Sequence, residues 1–279
     1  MPHWIDPNYP PLTRPILAEQ FRALGLSAGQ SVLLHSSMSE LGFVVGGAPT
    51  VVLALLDVLT ERGTLMVPTH SAGNSEPSRW QNPPVPHEWW PTIRDEMPAF
   101  DPQVEPLWLM GAVAETVWRW PNAGRSNHPQ HSFAAVGQER DTLVGGFTPY
   151  DAAFGEDSPL GRLYALDGYI LLLGVGHENN TALHMAESRT DYPGKHTEAQ
   201  GAAVQVDGVR QWITFDAVAW ESDDFYLLGA AFEAKHPEAV RLGKVGKASA
   251  RLIRQRPLVD FGVGWLPANR PQSLLQQQA

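Results

Sequence analysis

The chain has 279 residues, of which 43% are hydrophobic and 18% are charged, enough to bury one large core or two modest ones. The formal net charge is −10 and no run of Lys or Arg occurs, so the composition disfavours a nucleic-acid binder and suits a cationic partner. The absence of cysteine excludes disulfides, thiolate metal sites and a cysteine nucleophile.

Hydrophobic periodicity in the first quarter of the chain alternates between helix and strand. Apolar positions at helical spacing predict helices, and short apolar runs between glycines predict strands. This alternation is typical of an α/β fold. The predicted elements are a helix over Thr13–Leu24, a strand over Ser31–Leu34, a helix over Thr50–Leu59 and a strand over Thr64–Pro68.

A loop rich in hydroxyl groups and glycine joins the first strand to the second helix. It begins at His35 with three serines within five residues and continues as LGFVVGG over 41–47. A loop that leads into a helix N-terminus can present free backbone N–H groups to a phosphate. The loop contains neither G-x-G-x-x-G nor a Walker A sequence, so a plain strand–helix connection remains the other interpretation.

Residues 72–106 are rich in proline and tryptophan and contain several acids. A long irregular segment of this kind is typical of a functional flap or a linker, and its tryptophans disfavour disorder. The acids Glu88, Asp95, Glu96 and Asp101 suit a polycation, although a solvated loop face explains each of them equally well. We expect a substrate flap here.

Two histidines, His128 and His131, precede a strand predicted over Phe133–Val136 and follow a helix predicted over Leu109–Trp118. They resemble a metal-binding pair, but Pro129 between them excludes a helix and no third ligand stands at a recognised spacing. We therefore expect no metal site. A metal-dependent hydrolase that uses these two residues, His177 and nearby acids is kept as an alternative.

The stretch LLLGVGHENNTALHMAE over 171–187 predicts a buried strand, a polar loop and a helix capped by Asn180 or Thr181. Such a junction is a common ligand site in α/β folds. His184 and Glu187 lie three residues apart on one face of the helix, and a histidine beside a carboxylate can act as a general base. A helix end with a surface ion pair is the alternative.

The last third of the chain is less strongly patterned. Asp207-Gly208 predicts a hairpin between strands at Ala202–Val206 and Arg210–Thr214. The remaining predictions are helices over Asp223–Ala234 and Gly246–Gln255, an edge strand over Val259–Leu266 and a frayed end over Pro267–Ala279.

Three stretches in this order resemble the antibiotic N-acetyltransferases that modify aminoglycosides at the 3-amino group. They are HSSMSELGFVVGGAPTVVLALLDVLTERGTLMVPTHS, RSNHPQHSFAAVG, and FGEDSPLGRL followed by GYILLLGVGHENNTALHMAE. The resemblance spans roughly residues 14–265. It implies one domain over 1–279, with the flap at about 72–106 and an α/β C-terminal part from about 198. The implied fold is α/β with a mixed sheet and flanking helices, distinct from the common GNAT fold.

The resemblance also implies acetyl-coenzyme A as cosubstrate and an aminoglycoside as acceptor, with site residues as follows. His184 is the base, and Glu187, Glu156 and Asp157 lie near it; which of the three contacts the histidine stays open. The coenzyme site is lined by His35, Ser36, Ser37, Phe43, Val44, Val45, Gly46, Gly47, Ser132 and Phe133. The acceptor is bound by Asp101, Glu88, Asp95, His128 and Glu187.

No apolar run approaches the roughly 18 residues of a membrane span and the N-terminus is not typical of a signal peptide, so we expect a cytoplasmic protein. We expect neither a nucleic-acid nor a membrane partner, while monomer and homodimer both stay open. Two further alternatives are a non-catalytic binding protein and an acetyltransferase whose acceptor is not an antibiotic.

Overall fold

The computed structural model describes residues 5–270, and it contains the two helices and two strands that the sequence predicts before residue 70. The helices are α1 Arg14–Leu24, α2 Met38–Leu41, α3 Ala48–Leu59, α4 Trp90–Glu96, α5 Gly111–Trp118, α6 Arg140–Val144, α7 Pro159–Ala165, α8 Leu183–Arg189, α9 Phe225–Lys235 and α10 Gln255–Asn269. The strands are β1 Ser31–Ser36, β2 Thr64–Pro68, β3 Gly124–Arg125, β4 Phe133–Gly137, β5 Tyr169–Leu173, β6 Thr197–Val206, β7 Val209–Val218, β8 Val240–Val245 and β9 Ala248–Arg254.

The main sheet has seven strands in the order β3-β4-β2-β1-β5-β9-β8. β1 lies between β2 and β5 and is parallel to both, whereas every other pairing in the sheet is antiparallel. The mixed α/β sheet expected from the sequence is therefore confirmed. Because β2, β1 and β5 run in one direction, their carboxyl ends meet at a single edge of the sheet.

Helices cover both faces of this sheet, and the side-chain alternation of the strands divides the core in two. Val32 and Leu34 of β1 pack in one cluster with α1, α3 and α5. Leu33 of β1 and Leu172 of β5 pack in the other with α7, α8, α9 and α10. The central strands are buried on both sides, which explains why they appear in the sequence as continuous apolar runs.

β6 and β7 form a separate two-stranded sheet, as the Asp207-Gly208 signal predicts. Both turn residues have positive φ, 50° and 78°, the geometry that favours Asp-Gly in a two-residue hairpin. The segment 72–106 packs on this hairpin: the Asn74 amide accepts from Ala203 N–H and donates to its carbonyl, each at 2.8 Å. The segment is not wholly irregular, because it contains α4 and two short 3-10 turns.

Two of the predictions for the C-terminal part are wrong. Residues 248–254 form β9 rather than a helix, since Ala250 and Leu252 face the core while Arg251 between them lies further out. Residues 255–269 form α10 rather than an edge strand, with Leu258, Val259 and Leu266 buried at helical spacing. Residues 271–279 lie outside the described part, so the predicted frayed end is described only to Arg270.

The start of α8 also differs from the prediction, because the residue that precedes it is Ala182 and no side chain caps the helix. Among residues 5–270 no helix combines the length and the apolar character needed to cross a bilayer.

Candidate active site

A cavity of about 360 Å³ opens where the three parallel strands end. β1 contributes His35 and Ser36, and the chain at the end of β2 contributes Pro68 and His70. The loop after β5, His184 at the start of α8, the start of α5 and residues 222 and 225 form the rest of the wall. Loops and helix N-termini converge at this edge in α/β folds, which is why ligands bind there.

His184 and Glu187 form a hydrogen-bonded pair within α8. The Nδ1 of His184 bonds to the Oε2 of Glu187. The Glu187 side chain is 0% exposed and the His184 side chain 15% exposed. A carboxylate accepts the proton of an imidazole N–H, so this contact places the hydrogen on Nδ1 and leaves a lone pair on Nε2. That is the tautomer a general base needs, on a residue that lines the cavity.

Three further groups hold the carboxylate of Glu187. Arg270 and the Tyr192 hydroxyl donate to Oε1, the latter at 3.2 Å, and the backbone N–H of Glu221 donates to the same oxygen at 3.4 Å. Burial raises the pKa of Glu187, but His184 and Arg270 lower it by more, and the net pKa lies below the ordinary value. The carboxylate is therefore ionised at neutral pH and can stabilise an imidazolium.

Three aromatic side chains fix the plane of the His184 ring. Phe154 stacks on it with ring centroids 4.9 Å apart and an interplanar angle of 16°. Phe225 contacts it at 4.9 Å and Trp220 at 5.6 Å. The sequence analysis missed all three, since they lie far from His184 along the chain and carry no motif.

Two other histidines in the cavity wall are held neutral. Burial lowers the pKa of His35 to about 3, and it does the same for His70, with the charge of His184 adding to the effect in both. Neither ring therefore competes with His184 for a proton at neutral pH.

A second cavity, of about 500 Å³, lies between the β6–β7 hairpin and the loop after β7. Trp220 lines it and also contacts His184, so the indole lies between the histidine and this cavity. Its wall includes the acids Glu198 and Glu221 and contains no Lys or Arg among the residues described. Arg79 pairs with Glu198 from outside the wall.

The profile of the family described as aminoglycoside 3-N-acetyltransferase matches residues 33–267, most of the chain. The chain belongs to this family of acyltransferases. The SPbeta prophage-derived aminoglycoside N(3′)-acetyltransferase-like protein YokD of Bacillus subtilis (strain 168) is 40% identical over 265 residues, covering 95% of this chain and 96% of the relative. Aminoglycoside N(3)-acetyltransferase VII of Streptomyces paromomycinus is 39% identical, with 92% of each chain covered.

Solved structures of the family share the fold. The crystal structure of YokD from Bacillus subtilis has a TM-score of 0.92 at 39% identity and covers 96% of this chain and 98% of its own. AAC-IIIb in a binary complex with CoASH has 0.83 at 28% identity, covering 94% and 99%. AAC-VIa bound to sisomicin has 0.81 at 30% identity, covering 93% and 98%. The expected antibiotic N-acetyltransferase type of fold is thereby confirmed.

The expected coenzyme residues of the 35–47 loop lie at two places. His35 and Ser36 line the cavity of His184, while the Ser37 hydroxyl contacts Ser39 at 3.0 Å. Another cavity, mostly apolar and about 410 Å³, is lined from this loop by Met38, Ser39, Gly42, Phe43, Val44 and Gly47. Val45 and Gly46 are exposed beside it.

Three residues expected to contact ligands are instead built into the interior. His128 is 0% exposed; its Nδ1 accepts two backbone N–H groups and its Nε2 contacts the Tyr150 carbonyl. The buried Ser132 hydroxyl contacts Thr69 and Arg125, and Phe133 packs against Phe154. These contacts place the three residues behind the wall of the cavity, and the expectation that they contact acceptor or coenzyme stays a prediction.

The expected acidic pair 156–157 does not contact the histidine. The carboxylate of Glu156 binds Arg189 through two hydrogen bonds, 2.6 and 2.9 Å long, with its own side chain 65% exposed. Asp157 is exposed, and its backbone oxygen accepts from Arg162. Of the three acids whose contact with the histidine the sequence left open, Glu187 is the one that bonds it.

The acids expected to bind the acceptor lie on the outside of the 72–106 segment. Glu88, Asp95 and Asp101 are all exposed, and the carboxylate of Asp101 accepts from the backbone N–H of Gln103 at 2.8 Å. None of them lines either cavity beside His184 or Trp220. Glu198 and Glu221, to which the sequence analysis gave no role, are the acids that line the second cavity.

Two of the three histidines of the metal-hydrolase alternative, His128 and His177, already have partners. His177 bonds Glu233 through Nε2 at 3.0 Å and Asn180 through Nδ1 at 3.3 Å, and His128 uses both of its ring nitrogens as described above. Within residues 5–270 no three His, Asp or Glu side chains are grouped so that they could hold a metal ion.

Proposed function

We propose that the protein transfers the acetyl group of acetyl-coenzyme A to the 3-amino group of an aminoglycoside, with His184 as the general base. The observation that carries this proposal is the His184–Glu187 pair in the wall of a cavity at the carboxyl edge of the sheet. Membership of the family supports the reaction, and the tautomer held by Glu187 supports the role of the histidine.

The loop over 35–47 is the part of the chain that suits the coenzyme. It combines a mostly apolar cavity with the N-terminus of α3, where Gly47 precedes the first helical residue and an added Cβ would meet nothing within 4 Å. Open space above a helix N-terminus suits a phosphate, and the apolar wall suits an extended acyl carrier. The CoASH complex of AAC-IIIb supports acetyl-coenzyme A as the cosubstrate. When bound, the coenzyme supplies an activated thioester.

The second cavity is the part that suits a polycation. Glu198 and Glu221 bring negative charge to its wall, and Trp220 offers an aromatic edge beside the histidine. An aminoglycoside carries several ammonium groups at neutral pH. One of them can bind the carboxylate of Glu221, which has no Lys or Arg partner among the residues described, and another can compete with Arg79 for Glu198. The complex of AAC-VIa with sisomicin supports this acceptor class.

The chemistry assigned to the chain is proton transfer. The attacking amine must lose a proton, which Nε2 of His184 accepts while Glu187 keeps Nδ1–H in place and stabilises the imidazolium. The amine nitrogen attacks the carbonyl carbon directly, and the thiolate leaves. No covalent enzyme intermediate is needed.

The test is His184→Ala, for which we expect kcat to fall by about 10²–10⁴, the usual contribution of a general base. Thiol release from acetyl-coenzyme A is measured with aminoglycosides and with unrelated amines, and calorimetry reports coenzyme binding, which should be unchanged. His236→Gln at the end of α9 is the matched control. Near-normal turnover of His184→Ala would refute the mechanism, and turnover of only the unrelated amines would refute the acceptor.

A further inference from the structure

Arg270, the residue that follows α10, is a buried cation behind the candidate catalytic pair. Its side chain is only 1% exposed. The guanidinium donates to the two carboxylate oxygens of Asp224 at 2.8 and 2.6 Å, to Oε1 of Glu187, and to the carbonyl of Glu221 at 3.2 Å. All three of its nitrogens therefore have acceptors, and one acceptor is the carboxylate that holds His184.

Charges alternate along this line of contacts, from His184 through Glu187 and Arg270 to Asp224. Glu187 and Asp224 are 0% and 3% exposed, so water screens them poorly. With a neutral imidazole the four groups carry a net charge of −1, and with an imidazolium they carry none. Because a buried group of charges is least costly when its sum is zero, the arrangement favours a proton arriving on His184.

We propose that Arg270 is a positioning residue for the acetyl transfer: it keeps Glu187 ionised and aimed at His184, and Asp224 sets the charge balance of the group. The inference rests on the function proposed for His184. Without Arg270 two buried carboxylates would face each other with no cation between them, and one would take up a proton. A protonated Glu187 could no longer stabilise the imidazolium.

The same guanidinium also fixes the loop that bears Trp220. Arg270 holds the Glu221 carbonyl, and Glu187 accepts from the Glu221 N–H. The indole next to this residue contacts His184 and lines the second cavity. One side chain at the end of α10 thus links the catalytic pair with the wall of the expected acceptor site.

Other ionisable groups surround the pair and must be counted in any pH dependence. The Tyr192 hydroxyl donates to Glu187, and Lys195 binds only its backbone carbonyl. The groups that face His184 from the cavity side are Glu178 and the neutral rings of His35, His70 and His131. Among the residues described, Arg270 is the only Lys or Arg whose side chain contacts the Glu187 carboxylate.

The experiment compares Arg270→Met with the double variant Asp224→Asn/Arg270→Met. Arg270→Met should lower kcat by roughly 10–100-fold, as when an outer partner of a site histidine is removed. Loss of the nearby positive charge makes it easier for the His184–Glu187 pair to hold an extra proton. The pH below which kcat/KM falls should therefore rise by about one pH unit. The double variant removes the unpaired aspartate and restores the net charge of the group, so its thermal midpoint and the pH below which its kcat/KM falls should return toward those of the wild type. Its kcat should stay low, because no guanidinium aims Glu187 at His184.

The double variant distinguishes positioning from simple folding support. Recovery of both stability and kcat in the double variant would overturn the proposal, as would a wild-type pH profile in Arg270→Met. If Arg270→Met does not fold, the double variant alone carries the test. Arg256→Met, in the first turn of the same helix and half-exposed, is the matched control and should leave both profile and kcat unchanged. His184→Ala, measured alongside, reports separately on the proposed function.

Discussion

Acid should unfold this protein through its buried histidines, and His128 is the best one to test. Burial lowers the pKa of His128 to about 4, although its contact with the Tyr150 carbonyl opposes the shift. In the unfolded chain a histidine has a pKa of about 6.5. Between these values the unfolded chain binds a proton that the folded protein excludes, so stability is complete above about pH 6.5 and is lost as the pH falls.

The size of the effect follows from these two values. From pH 7 to pH 5 the exclusion of one proton costs about 2 kcal/mol, and near pH 5 the free energy of unfolding changes by about 1.3 kcal/mol per pH unit. His128→Gln keeps a neutral polar side chain of similar size and removes the proton site. We expect the free energy of unfolding of this variant to be lower at pH 7. Near pH 5 its change with pH should be smaller than that of the wild type by about 1.3 kcal/mol per pH unit.

The assay is urea unfolding at several pH values between 7 and 5, followed by the fluorescence of the ten tryptophans. Val117→Ala, a fully buried position in α5, is the control: it should lower stability by about 1–3 kcal/mol and leave the slope unchanged. A His128→Gln slope equal to that of the wild type would show that His128 does not exclude a proton in the folded protein.

Three further outcomes are expected. A Cβ on Gly229 in α9 would overlap the ring of His177, so Gly229→Ala should lower the thermal midpoint by several degrees, measured by circular dichroism. Glu221→Gln should raise the acceptor KM roughly three- to tenfold with little change in kcat, whereas the same kinetics should show no change for Asp95→Asn on the exposed face of α4. Glu187→Gln should lower kcat by about 10²–10⁴ in the thiol-release assay without weakening coenzyme binding, because the amide no longer fixes the histidine tautomer.

Strong local patterns predicted local structure correctly. The short apolar run over 169–173, which ends at a glycine turn, predicted a buried strand, and Asp207-Gly208 could adopt the two positive φ angles of a tight hairpin. The pairing of His184 with Glu187 also followed from helix geometry, since residues three apart share a face. In each case the physical cause operates within a few residues, so the sequence contains it.

Predictions from weak local patterns were wrong where strand pairing and helix packing determined the secondary structure. The short apolar run over 248–254 suits either a helix or a strand, and pairing with β5 and β8 made it a strand. The next residues, 255–269, continue as a helix because that helix buries its apolar side on α8 and α9. β5 and α8 are far from these two segments in sequence, so propensity alone could not choose.

The sequence by itself determined the family, the mixed α/β class of the fold and the placement of His184 and Glu187 on one face of a helix. Only the tertiary structure showed that Glu156 pairs with Arg189, that His128 is fully buried, and that Arg270 contacts Glu187, 83 residues earlier in the chain. Charged residues follow no periodic pattern that would reveal their partners, and each pairs with an opposite charge that the fold brings close to it. The partners of buried charges are therefore fixed by packing over long sequence distances.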